Sequence, residues 1–378
     1  NSLKFNGANQ YLSRTPSSAG NRRTFTYSGW IKPKPEASSR ALMSAGDNSG
    51  TNDYIMFQSG NRLRFSFGTE GEGDVMTDRL FRDPSAWYHI VWAVDTTQGT
   101  AANRVKLYVN GTQETDLAAT YPDQNYDTSF NNTVVQRIGA RSYSVTQYWD
   151  GYMSEIHFVD GSQLDASYFG ETNDNGVWVP KKYTGSYGTN GFFMEFQQGG
   201  TNQDSSGVGA DTSGNDNHFS QNAHGSNSTA LDTPTNNFCV LNQLIGNAVY
   251  TAPSYTGGLL TFTTSSNTSF GSSGIGTIAP SSGKWYWEAR INTSIVNGVG
   301  MGARVMEGYY PEFNNDSFFA GNTSNSGGVG YSVNFNSGHP QTNSAEYNTG
   351  NEINGGSALS ANDIIGVAMD LDNGAIYY

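Results

Sequence analysis

Apolar and polar positions alternate through most of the first 170 residues. Leu3 and Phe5 alternate with polar neighbours, and a Gly-Ala-Asn turn separates them from Tyr11-Leu12. Residues 25–31 (FTYSGWI) and 63–67 (LRFSF) show the period of two expected of half-buried strands. Residues 87–94 (WYHIVWAV) are more continuously apolar, as a central strand would be. Residues 105–109 run into Asn110-Gly111, a strong hairpin signal. Segments 138–140 and 152–159 (YMSEIHFV) complete the set. Short strands separated by turn residues predict an all-β antiparallel sandwich over residues 1–170.

From 171 to 247 the pattern changes, and Gly, Asn, Ser, Thr and Asp dominate. Trp178, Tyr183 and the apolar group at 192–196 are too apolar to leave in water, so 171–196 is expected to pack on the first sandwich. Disorder is expected, if anywhere, near 198–230. Alternation resumes from 248 to 378, at 260–264, 284–291 (KWYWEARI), 299–305, 329–335 and 364–371, with a turn at Asp372-Asn373-Gly374. The fold class predicted is all-β: two antiparallel, jelly-roll-like sandwiches joined by a Gly/Asn-rich connector.

Composition strengthens that reading. The 378 residues include 46 glycines, and aromatics reach 13% while charged residues are only 14%, against about 25% in ordinary domains. Strong helix formers are scarce. A formal charge of −13 repels phosphate backbones, which argues against nucleic-acid binding. No run of 18 apolar residues is present to span a membrane. Cys239 is the single cysteine, so no disulfide can form within the chain, and a reducing compartment is expected. Residue 1 is Asn, and the final Ala-Ile-Tyr-Tyr reads as a strand cut short, so both ends look like fragment boundaries.

Several motifs carry a family resemblance. LKFNGANQYL, FTYSGWIKP, WYHIVWAVD, VKLYVNG, and IGAR followed by WDGYMSEIHFVDGSQLDASYF stand in the order found in laminin-G-like or concanavalin-A-like jelly rolls. The continuation through VWVPKKYTGSYGTNGFF, GADTSGNDNHF and TPTNNF resembles a version common in marine bacteriophage virion proteins, including tail-fibre-like ones. SGKWYWEARI, GVGMGA and NDIIGVAMDLDNGAIYY resemble a SPRY-type sandwich, whose pattern continues past Tyr378. The second domain is therefore expected to be incomplete at its C-terminus. The resemblance implies a non-enzymatic virion structural protein of a tail, fibre or capsid surface, assembled in the host cytoplasm. Its implied partners are other virion proteins and host-surface polysaccharide, with homo-oligomerisation by analogy with fibre proteins. The alternatives are a carbohydrate-binding extracellular adhesin and, less favoured, a glycoside hydrolase.

Related glucanases use Glu-x-Asp-x-(x)-Glu, whereas Glu155-Ile156-His157 has histidine where an acid is needed. Asp150 and Glu155 have opposite strand parity, and Glu195 and Glu288 stand alone in apolar strands. No Gly-x-Ser-x-Gly elbow is present, and His89 and His157 occupy strands that are structural in the family. Glycan contact is expected from loop aromatics with polar neighbours: Tyr121, Tyr126, Tyr143, Tyr148, Trp149 and Arg141. Calcium is the candidate metal, with Asp47, Asp53 and Asp150 as candidate ligands, although no EF-hand spacing exists.

Overall fold

The alternating segments of the first region form two antiparallel sheets of eight strands each. The first runs, in spatial order, Thr112–Glu114 (β10), Val105–Val109 (β9), Tyr88–Asp95 (β8), Thr24–Pro33 (β3), Asp150–Asp160 (β13), Ser2–Asn6 (β1) and Thr229–Ala230 (β18). Phe192–Met194 (β16) also pairs with β13. The second runs Leu117–Thr120 (β11), Gly73–Thr77 (β7), Arg62–Phe67 (β6), Thr51–Gln58 (β5), Arg40–Asn48 (β4), Gln136–Ile138 (β12), Tyr11–Arg14 (β2) and Ser220–Asn222 (β17). This is a computed structural model, and it describes residues 1–35, 38–48, 51–68, 72–225, 228–243, 254–263, 276–292, 299–304, 330–336, 339–344 and 361–377.

The sheets face each other across one aromatic core. Phe65 of the second sheet meets Phe25 and Trp92 of the first, with ring centroids 6.5 and 5.5 Å apart. The central strands β3 and β8 are buried on both faces, which explains the continuous apolar run at 87–94. Asn110 and Gly111 take φ of 48° and 83° in the β9–β10 hairpin, as the Asn-Gly signal predicted. Gly111 is required twice over, because a Cβ there would come within 2.7 Å of the Trp178 ring.

The outer face of the first sheet is covered by the connector. Val91, Val159, Ala166, Phe169 and Tyr183 form a second apolar cluster, joined by Trp178 and Tyr187. Gly170–Thr172 (β14) and Trp178–Pro180 (β15) make a small hairpin within this cover. The stretch around 198–230 departs from the expectation of disorder. Its short strands β17 and β18 add to β2 and β1, so one segment supplies an edge to both sheets. Side chains pair its irregular backbone. Asp211 accepts from the backbone N–H groups of Phe193, Ser213 and Asn217, and Asn217 donates to the carbonyls of Thr189 and Gly191.

Asn1–Val240 with Thr256–Thr261 form one compact unit, and the remainder of the chain forms another. Ser254–Thr256 (β19) pairs with Thr261–Thr263 (β20) in a two-stranded sheet. In the second unit Lys284–Arg290 (β21), Ile364–Asp370 (β25) and Ala375–Tyr377 (β26) form one three-stranded sheet. Val299–Arg304 (β22), Gly330–Asn336 (β23) and His339–Ser344 (β24) form another. The turn before β26 is organised by Asp370, which accepts from the N–H groups of Asp372 and Asn373. Positions 264, 305 and 329, at the ends of expected strands, and residues 306–327 lie outside the described residues.

Candidate functional site

The strongest candidate surface is built by the loop at 139–149, which leaves β12 and enters β13. Gly139 begins it at φ 84°, and a Cβ there would strike the Phe5 ring at 2.3 Å. The loop is closed by its own backbone: Arg141 N–H donates to Thr146 O at 2.9 Å, and Trp149 N–H donates to Gly139 O at 2.8 Å. It is also tied to the second sheet. Ala41 N–H donates to Gln147 O at 2.8 Å, Ser44 and Ser142 hydroxyls meet at 2.8 Å, and Arg137 donates to Ser142 O at 2.5 Å. Trp149 anchors the far end in the core, 5.5 Å from Phe57. A loop held at this many points presents its side chains with little freedom left to lose.

Tyr143 is 45% exposed at the tip. Tyr148 is half-buried and stacks on Tyr11 at 6.4 Å, and the Arg137 guanidinium lies 5.5 Å over the same Tyr11 ring. Arg141 lies 4.6 Å over Tyr54 and donates from Nε and Nη2 to the Asn52 amide oxygen. Tyr54 is flanked by a second guanidinium, Arg64, at 5.8 Å. Tyr54 is itself buried against the two guanidiniums, which leaves Tyr143, the Tyr11–Tyr148 pair and Arg141 as the groups this loop region can offer for stacking on sugar rings and hydrogen bonding to their oxygens.

The structure therefore brings together Arg141, Tyr143 and Tyr148 of the sequence-derived set and leaves the others elsewhere. Trp149 is corrected: it is 1% exposed and belongs to the core, so it offers no face to a ligand. Tyr121 and Tyr126 pack against that core as half-buried residues. The Tyr126 ring meets Phe67 edge-on at 6.0 Å, and its hydroxyl donates to Asp53 at 3.2 Å. Tyr11, Tyr54 and Arg137 were missed. Arg137, Ser44 and Tyr54 form one cross-strand row, a signal that exists only once the register is known.

The proposed calcium ligands do not converge either. Asp53 is buried and turned toward donors of the chain itself: the N–H groups of Ser129 and Gly68 and the Tyr126 hydroxyl. Burial pushes its carboxyl up to about 6, while those hydrogen bonds pull the other way. Asp150 accepts from the Lys34 ammonium at 3.0 Å, so a side-chain cation already occupies that carboxylate. Asp47 is exposed, and no group of three metal-ligating side chains occurs among the described residues.

Two arrangements resemble catalytic ones. Ser28 Oγ lies 2.8 Å from His89 Nε2, and Trp178 Nε1–H donates to His89 Nδ1 at 3.0 Å. The indole thus fixes the tautomer: Nε2 carries the proton and donates to Ser28, leaving no lone pair to activate the hydroxyl. Both side chains are buried, and burial lowers the His89 pKa to about 3. The other arrangement concerns Glu155, which is the bulged residue of β13, at φ 49°. The bulge cancels the parity argument made from sequence. Pairing of Ile156 with Met194 brings Glu195 alongside, and burial together with Glu195 raises the Glu155 carboxyl to about 7.

Two face-to-face antiparallel sheets presenting side chains from a fixed end loop define a jelly-roll-type β-sandwich domain. Residues 6–167 match the laminin-G family model described as the concanavalin A-like lectin/glucanases superfamily. No curated protein sequence matches the chain. Among solved structures, a native heptameric SAP-like pentraxin from Limulus polyphemus is 15% identical, with a TM-score of 0.33 over 43% of this chain and 76% of that one. The CBM40 of a Ruminococcus gnavus IT-sialidase, bound to alpha2,3 sialyllactose, is 16% identical, with a TM-score of 0.29 over 40% and 89% of the two chains. A Trypanosoma rangeli sialidase in complex with sialic acid is 14% identical, with a TM-score of 0.29 over 39% of this chain and 22% of that one.

Proposed function

We propose that the chain is a non-catalytic recognition and assembly module of a bacteriophage virion surface protein, and that its first unit holds a host-surface glycan at the 139–149 loop. The observation that carries this reading is the preorganised set of Tyr143, Arg141 and the Tyr148–Tyr11 stack on a loop pinned to the sheet. The phage-type motifs from 152 to 238 and the SPRY-type motifs of the second unit support the virion context. Copies in a homo-oligomer would add avidity to weak single contacts. The test is binding of the purified protein to intact host cells and to their extracted surface polysaccharide. Saturable, sugar-competed binding that falls about tenfold in Tyr143→Ala and Arg141→Ala is expected, a loss of ~1.4 kcal/mol.

A purely structural role is the second reading. The half-burial of Tyr148 favours it, because stacking on Tyr11 already satisfies that ring. Absence of cell and polysaccharide binding by the well-folded oligomer would select this role. Release of reducing sugar that stops in Glu155→Ala would instead establish a glycoside hydrolase.

A further inference from the structure

The second unit carries an aromatic surface of its own. In the sheet of β21, β25 and β26, Trp287 pairs with Val367 and Ala289 with Ile365, and both aliphatic partners are buried. The opposite face bears one cross-strand row of Tyr286, Ala368 and Tyr377 and, beside it, Glu288 paired with Gly366. Tyr286 and Tyr377 are 64% and 62% exposed.

Tyr286 does not stand upright from this face. Its hydroxyl donates to Glu288 Oε1 at 2.8 Å, which holds the ring over Gly366. A Cβ on Gly366 would come within 2.7 Å of that hydroxyl and 3.2 Å of the ring. Gly366 thus lies under the Tyr286 ring and Ala368 is the small residue between the two tyrosines, whose backbones are two strands, roughly 10 Å, apart. Lys284, Arg290, Glu288 and Asp370 supply two charges of each sign, with Lys284 and Asp370 already paired at 3.2 Å. The face is neutral in a chain of net charge −13.

We propose that this face binds a neutral, extended β-linked polysaccharide, with Tyr286 and Tyr377 stacking on alternate sugar rings and Glu288 accepting from a hydroxyl. A ring laid down and fixed in advance offers stacking area at small entropic cost. The small floor lets a chain reach both rings, and balanced charge suits an uncharged partner. A protein partner would be expected to meet a larger aliphatic patch, whereas Ile364 is the large exposed aliphatic of this face among the described residues. The inference extends the glycan reading above but rests on different residues.

The test is retention of the full chain on microcrystalline cellulose, with each variant's thermal melt recorded. Retention is expected to fall about tenfold in Tyr286→Ala and in Tyr377→Ala, equivalent to ~1.4 kcal/mol each. Gly366→Ala, which keeps both tyrosines but displaces the ring, should weaken it in the same direction. Tyr168→Ala, at an exposed first-unit tyrosine outside the 139–149 loop, should bind cellulose as wild type does. Failure of the wild-type chain to bind cellulose, or unchanged retention in the Tyr286→Ala/Tyr377→Ala double variant, would overturn the proposal. Cellulose retention that depends on Tyr286, with no binding to host polysaccharide, would instead remove only the first-unit reading.

Discussion

Lys32 and Asp232 are 200 residues apart in sequence and 2.8 Å apart in space, both enclosed by protein. The Lys32 ammonium also donates to Asn237 Oδ1 and Phe238 O, while Asp232 accepts from Trp87 Nε1 and Phe238 N–H. This network fastens the end of the connector to the outer face of the first sheet. Removing one partner leaves the other charge buried, which typically costs about 3–5 kcal/mol. Lys32→Met is therefore expected to lower the urea midpoint strongly, and Lys32→Met/Asp232→Leu less so. A double-variant loss equal to the sum of the Lys32→Met and Asp232→Leu losses would show that the two charges act independently.

Trp149 and Tyr143 belong to one loop but are expected to behave oppositely. Trp149→Ala opens a cavity in the core and should destabilise the first unit by about 3–5 kcal/mol. Tyr143→Ala should leave the melting temperature within a degree or so of wild type while weakening glycan binding. Thermal melts and polysaccharide titrations of both variants check the contrast.

The buried histidines predict acid lability. Burial lowers His89 and His157 to about 3 and His224 to about 4, below the ordinary value of about 6.5. Between those values and 6.5 the unfolded chain binds protons that the folded chain does not, so stability falls as pH falls through that window. His224→Phe, which keeps the edge-on contact with Phe5, should flatten the decline measured by denaturant titration from pH 6.5 to 4.5.

Glu155 acts in the opposite sense. Its folded value of about 7 lies above the ordinary 4.5, so its stabilising share is present at low pH and is lost as pH rises through 7. Glu155→Gln should raise the melting temperature at pH 8 and change it little at pH 5. An equal gain at both pH values would remove the carboxylate charge as the cause.

Asp53 and Asp150 are expected to be indifferent to calcium, because backbone amides, a tyrosine hydroxyl and an ammonium already satisfy them. Melting temperatures in EDTA and in millimolar calcium should agree. Asp53→Asn should be destabilised equally in both.

The sandwich was legible where strands are long and their apolar residues alternate or run unbroken, as at 25–31, 87–94 and 152–159. It was not legible at Ser220–Asn222 and Thr229–Ala230, because edge strands of two or three residues have no room for a period of two. The order of that segment comes instead from side chains such as Asp211 and Asn217 bonding to a backbone far along the sequence. Trp149 and Tyr148 are adjacent and equally aromatic, and only the sheet they enter decides which is enclosed. The Tyr54–Arg141 contact depends on register, and the Glu155 environment on a bulge, and neither has a local signature.

The segment that closes both sheets also sets an order of events during synthesis. β1 and β2 leave the ribosome before the rest of this sandwich, yet their outer neighbours lie beyond residue 219. Until those residues arrive, two strands offer unpaired amides and carbonyls to any passing chain. A fragment cut at residue 167, where the family match ends, would keep both edges open permanently. Such a fragment should form strand-exchanged aggregates, whereas a chain carried to Val240 should remain dispersed.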